Sequence, residues 1–113
     1  MIVYKRNEAK KFSSAPGVTN HILISGEKMM MLLIEFEPGS EVPLHSHIHE
    51  QIGICLKGKV EFRGEDKSAV IEPDMVYFFR TNEKHGAKAI GKENAAILEI
   101  FSPPREDFLA RVK

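Results

Sequence analysis

Turn-forming residues divide this chain so often that long helices have little room to form. From Val18 onward, short apolar stretches are interrupted at Ser25-Gly26, Pro38-Gly39, Gly58, Gly64-Glu65-Asp66, Pro73-Asp74, Asn82 and Gly91. Breaks spaced roughly 8–12 residues apart are the pattern of an all-β sandwich or barrel. The expected strands are Thr19–Ser25, Lys28–Glu37, Glu41–His47, Gln51–Lys57, Lys59–Arg63, Ala69–Glu72, Val76–Arg80, Ala87–Ile90 and Ala95–Phe101. A chain of 113 residues, 42% of them hydrophobic, suffices for one core, so residues 1–113 are read as one domain.

Two stretches depart from that pattern. Met29 to Ile34 is apolar at every position, so a strand there buries both faces and its outer face is expected to meet a second subunit, as a homodimer. The tail from Pro104 to Val112 has a proline near a helix start, acids in the first turn and a base near the end, which predicts one short C-terminal helix.

Charge narrows the partners. Lys+Arg and Asp+Glu both number 16, so no basic excess marks a surface for nucleic acid or anionic lipid. Lys5 and Arg6 fall where a signal peptide needs its apolar segment, and no apolar run reaches the roughly 20 residues of a spanning helix. No membrane partner and a cytoplasmic location are expected. Cys55, the single cysteine, forms no internal disulfide and is read as a small buried hydrophobe.

The five histidines are unevenly distributed, with His45, His47 and His49 crowded together. On a strand, His45 and His47 project from one face and can converge on a metal ion. Two imidazoles bind a divalent ion only modestly, so further ligands must come from elsewhere, and His85 is the candidate if the sheet returns there. His21 and His49 are read as ordinary surface or hydrogen-bonded residues.

With Gly39 before them and Gln51 and Gly58 after them, His45 and His47 resemble the first motif of the cupin family, in which two glycines frame two histidines and an acidic ligand. Pro73, twelve residues before His85, is similar to the proline-initiated turn of the second cupin motif. Asp74 stands where that turn usually carries glycine, and Asp tolerates left-handed backbone better than most residues. The resemblance implies an all-β cupin fold, a double-stranded β-helix or jelly-roll-like barrel, holding one divalent transition metal ion among Mn, Fe, Ni, Co and Zn. The acidic ligand position is occupied by Gln51, with Glu50 one residue earlier. Alternation alone favours Glu50, since Ile52, Ile54 and Leu56 would then line the barrel, whereas the family spacing favours Gln51 as the ligand. Three imidazoles and an amide leave the divalent charge uncompensated, which suits an anionic ligand.

The segment from Glu99 to Phe108 adds a carboxylate, the Phe101 ring and Arg105 near one barrel mouth. Together with the histidine pattern it resembles the KdgF type of pectin-degradation cupins. That resemblance implies metal ligands His45, His47, Gln51 and His85. Glu99 takes the place of an acid/base aspartate, Phe101 becomes a substrate-binding ring, and Arg105 takes a substrate-binding and catalytic part. The implied reaction is ring opening and tautomerisation of a 4,5-unsaturated monouronate, a small anionic sugar, to linear 5-keto-4-deoxyuronate. Glutamate for aspartate shifts the carboxyl group by on the order of 1 Å. Two other readings stay open: a non-catalytic small-molecule-binding module and an iron-dependent dioxygenase.

Overall fold

The computed structural model describes all residues, 1–113. A short 3-10 turn at Arg6–Glu8 precedes ten strands: β1 (Lys10–Ala15), β2 (Val18–Ser25), β3 (Met30–Phe36), β4 (Glu41–His45), β5 (Glu50–Lys57), β6 (Val60–Arg63), β7 (Ser68–Ile71), β8 (Val76–Phe79), β9 (His85–Ala89) and β10 (Ala95–Ser102). One helix, α1 (Glu106–Arg111), follows. The strands form a six-stranded antiparallel sheet, ordered β1-β2-β3-β10-β5-β8, and a four-stranded one, ordered β4-β9-β6-β7. Side chains from both sheets, among them Leu32, Phe36, Val60, Ala89 and Ile97, share one buried cluster that includes Cys55. No helix is long and apolar enough to cross a membrane.

Three details differ from the expected elements. β1 was not expected at all, because Lys10-Lys11-Phe12-Ser13-Ser14-Ala15 carries little apolar signal; it forms as an edge strand on β2. A strand through His47 is expected from the spacing, but β4 ends at His45, so His47 reaches the site from the following loop. The helix is shorter than the tail pattern suggests, since Pro103 and Pro104 hold the chain extended up to Arg105. The expected left-handed Asp74 is present at φ 75°, with its N–H donating to Cys55 O at 2.9 Å, so the Pro73-Asp74 turn forms without glycine.

Register explains which strand faces do what. Because side chains alternate, each cross-strand row of the large sheet belongs wholly to the barrel interior or to the outside. Two adjacent interior rows carry polar groups: Tyr77–Gly53–Glu99–Leu32 and Phe79–Gln51–Phe101–Met30. Two outer rows are apolar: Val76–Ile54–Leu98–Leu33 and Phe78–Ile52–Ile100–Met31–Ile24. Thus Met30 and Leu32 fill the interior while Met31 and Leu33 face out, as a strand apolar on both parities requires. Leu33 is already buried at 3% exposure within one chain, whereas Val76 is 74% exposed, so the open part of the outer face lies on β5 and β8 rather than on β3.

Candidate metal centre

His45 closes β4 directly opposite His85, which opens β9, so sheet pairing alone brings these two rings together. Their centroids are 4.5 Å apart, and His47 lies 5.5 Å from His45 and 5.0 Å from His85. Ring nitrogens of the three all lie within 4.8 Å of one another. His85 is also stacked on Phe79, with centroids 4.3 Å apart and planes 8° from parallel, which fixes its tilt.

The ring nitrogens are already sorted. His45 Nδ1 lies 2.9 Å from Pro43 O, and His85 Nδ1 lies 2.8 Å from Glu83 O. A carbonyl only accepts, so in both rings Nδ1 carries the proton and Nε2 keeps its lone pair for a metal. Burial, then the Arg105 charge and the neighbouring rings, hold His47 down at about 4. Burial also lowers His85, against the pull of its bond to Glu83. These rings are therefore neutral at ordinary pH, the state in which imidazole binds a metal.

Gln51 settles the question of strand face. It is 3% exposed, while Glu50, Ile52 and Leu56 point outward. Alternation misleads here because the outer face of β5 is itself apolar. Gln51 Nε2 donates to Glu99 Oε2 at 2.9 Å, so the amide oxygen is turned the other way, buried and without a hydrogen-bond partner. Both nitrogens of His47 are likewise buried and unpartnered. Unmet buried acceptors beside a histidine triad are what a divalent cation would satisfy, so these residues fit the metal that the fold implies.

Glu99 sits within β10 rather than at a solvated strand end, and is 3% exposed. Its Oε2 accepts from Tyr77 Oη at 2.6 Å as well as from Gln51. Burial pushes its carboxyl up to about 7, against the opposing effects of these two bonds and of Arg105. Burial and the Glu99 charge push the Tyr77 phenol far up, so it stays a donor. The phenol fits because Gly53 lies between the two residues: a Cβ there would stand 2.3 Å from Tyr77 Oη. Nothing in the spacing singles out Tyr77, since Val76-Tyr77-Phe78-Phe79 is apolar or aromatic on both parities.

Arg105 is buried just before α1 and forks onto Asp107, with Nε to Oδ1 at 3.0 Å and Nη2 to Oδ2 at 2.9 Å. That fork holds Asp107 below the usual carboxylate range. The guanidinium lies 3.8 Å from the Phe108 centroid and 5.1 Å from that of Phe101, so both rings and Asp107 set its position. Two of its five N–H groups are used, and the rest remain for a ligand. His45, Gln51, His85, Glu99, Phe101 and Arg105 all line one cavity of about 350 Å³. Of the two histidines read as ordinary, His21 Nε2 lies 2.6 Å from Glu35 Oε1 on the outside. His49 lies nearer the site than expected, its ring 5.3 Å from His47 and 6.4 Å from Phe101.

Comparison with known proteins fits this geometry. The profile of the family described as "Cupin domain" matches residues 32–101. The chain is 36% identical over 67 residues to the H2HPP isomerase of Bacillus subtilis, covering 59% of this chain and 28% of that protein. It is 28% identical over 104 residues to auxin-binding protein 1 of Arabidopsis thaliana, covering 79% of this chain and 52% of that one. The chain thus spans about half or less of the length of these curated relatives. Among solved structures, KdgF from a Halomonas species superimposes with a TM-score of 0.85 at 24% identity, covering 94% of this chain and 98% of its own. An RmlC-like cupin from Shewanella frigidimarina gives 0.85 at 22%, covering 96% of each chain. The polyketide cyclase RemF from Streptomyces resistomycificus gives 0.79 at 20%, covering 92% and 82%. At these identities the structural likenesses speak for the fold.

Proposed function

The chain belongs to the cupin family, and we propose that it is a metal-dependent enzyme that opens and tautomerises a 4,5-unsaturated monouronate to linear 5-keto-4-deoxyuronate. The observation that carries this reading is the buried Glu99 carboxyl, held by Tyr77 and Gln51 in one cavity with Arg105 and with His45 and His85 of the histidine triad. His45, His47, His85 and Gln51 would hold the ion, which when bound supplies Lewis-acid stabilisation of negative charge on substrate oxygen.

The chain's own groups supply the rest. Arg105 offers its free N–H groups to the substrate carboxylate, and Phe101 packs beside it. Glu99 takes the proton of the anomeric hydroxyl as the C1–O5 bond breaks, and returns it to C4 as the resulting enolate becomes the C5 ketone. Substrate and product are isomers, so no further reactant is needed. Tyr77 and Gln51 keep the Glu99 carboxyl in place through both transfers.

Arg105→Ala is expected to raise KM for the unsaturated uronate by roughly 10–100-fold, the worth of a charge-assisted fork, with a smaller effect on kcat. Initial rates of loss of the conjugated alkene's ultraviolet absorbance measure both constants. An unchanged KM would remove Arg105 from substrate binding.

The homodimer belongs to the same proposal. From β8 to β3 the two outer rows of the large sheet carry no charge, with Arg80 over the Phe78 ring at one end and His21 and Lys11 beyond Leu33 at the other, and past Ile100 the apolar surface continues over Met29, Met31, Ile24 and Tyr4. A second copy can therefore oppose this face about a two-fold axis with the charged groups left at its rim. Phe78→Lys is expected to leave a folded monomer in sedimentation equilibrium; a wild-type monomer at tens of micromolar would refute the pairing.

A further inference from the structure

On its β1–β2 side, the cavity wall carries polar groups with no part in the proposed reaction. β2 turns Val18, Asn20 and Ile22 inward, and Asn20 is 2% exposed in a row that β3 and β10 continue as Ile34 and Ile97. An amide in such hydrocarbon surroundings is unfavourable unless it is hydrogen-bonded. Asn20 Nδ2 donates to Ser14 Oγ at 2.7 Å.

Ser14 reaches that position through an irregularity of β1. Pairing runs Ser13↔Thr19 and then Ala15↔Val18, which leaves Ser14 as an extra residue on the edge strand. Bulges of this kind re-aim a side chain, often beside a site. The bulge is pinned from outside, since Arg111 Nη2 donates to Ser13 O at 2.9 Å and the Arg111 guanidinium lies 4.9 Å from the Phe12 centroid. Ser14, Asn20 and Arg111 all line the same cavity as His45, Glu99 and Arg105. An amide and a hydroxyl joined by one bond still have the Asn Oδ1, its second N–H and the Ser proton to offer.

We propose that Ser14 and Asn20 form a second polar subsite, on the β1–β2 wall of the same cavity, that hydrogen-bonds the hydroxyl groups of a bound sugar acid and so selects polyhydroxylated acids over acids with a plain hydrocarbon ring. The proposal deepens the uronate reading and rests on it for the acid, not for the reaction. Two strands separate β2 from β5 in the sheet, so the subsite meets the part of the ligand remote from Gln51.

Calorimetric titration of the metal-loaded protein with D-galacturonate and with cyclohexanecarboxylate separates the possibilities. The wild type is expected to bind galacturonate at least about tenfold more tightly. Asn20→Ala and Ser14→Ala should each weaken galacturonate about tenfold, the worth of one hydrogen bond, and leave cyclohexanecarboxylate unchanged. Ser14 is exposed, so its variant decides the matter even where Asn20→Ala fails to fold. No preference in the wild type, binding of neither acid, or a preference that survives Ser14→Ala would overturn the subsite. A preference lost as expected, in a protein that does not turn over the unsaturated uronate, would overturn the enzymatic reading and leave the subsite standing.

Discussion

Replacing His47 with alanine is expected to abolish the stabilisation that a divalent metal confers on this protein. A ligand that binds only the folded state at a hundred times its Kd adds about 2.7 kcal/mol, on the order of 10 °C in Tm for a chain of this size. The wild type should show that rise with one of manganese, nickel, cobalt, iron or zinc, and His47→Ala should not. The metal-free proteins should melt alike, or the variant slightly higher, because both His47 nitrogens are buried without a partner and their removal breaks no hydrogen bond. That split separates a ligand from a structural residue, whose loss would lower both melting points. Differential scanning calorimetry with and without metal, beside elemental analysis of the dialysed protein, measures it. A metal-dependent rise that survives in His47→Ala would place the ion elsewhere.

The second large effect is on turnover. Both hydrogen bonds to Glu99 land on Oε2, so a glutamine whose amide oxygen takes that place can keep Tyr77 and Gln51 where they are. Glu99→Gln therefore removes proton transfer and little else. We expect kcat to fall about 10²–10⁴-fold, the usual worth of a general acid–base, with metal content and KM near those of the wild type. Steady-state rates and metal analysis on the same preparation check this. A binding module has no such turnover to lose. A kcat within about threefold of the wild type would assign the proton transfer to another group.

Much of the site is legible in the residues alone, for a physical reason. His45 and His47 announce themselves because two imidazoles at a spacing of two can converge on one ion, and His85 because the second motif of the resemblance ends on it. Asp74 likewise shows that a left-handed turn survives without glycine. What stays hidden depends on contacts between distant segments. Alternation picks Glu50 over Gln51, because Ile52, Ile54 and Leu56 make the outer face of β5 the more apolar one. Tyr77 is masked by its aromatic neighbours, and its part follows only from Gly53 making room between it and Glu99. β1 is hidden by two lysines and two serines, and its bulge at Ser14 leaves no periodic trace.

The strand-end geometry of the triad shows how the fold can hold ligands without one continuous strand carrying them. His45 and His85 are fixed by sheet pairing, and their Nδ1 contacts to Pro43 O and Glu83 O orient the rings. His47 comes from the loop, where its carbonyl accepts from Asn82 N–H at 2.8 Å, and its ring is held by packing among aromatic rings. Its ring is thus the one of the three that no hydrogen bond orients.

The central claim is tested most directly by following 4,5-unsaturated galacturonate by proton NMR with metal-loaded protein, against a protein-free blank. Linear 5-keto-4-deoxyuronate is expected to form well above the spontaneous rate with the wild type, and at the spontaneous rate with Glu99→Gln. Formation at the spontaneous rate by wild-type protein with its metal bound would contradict it.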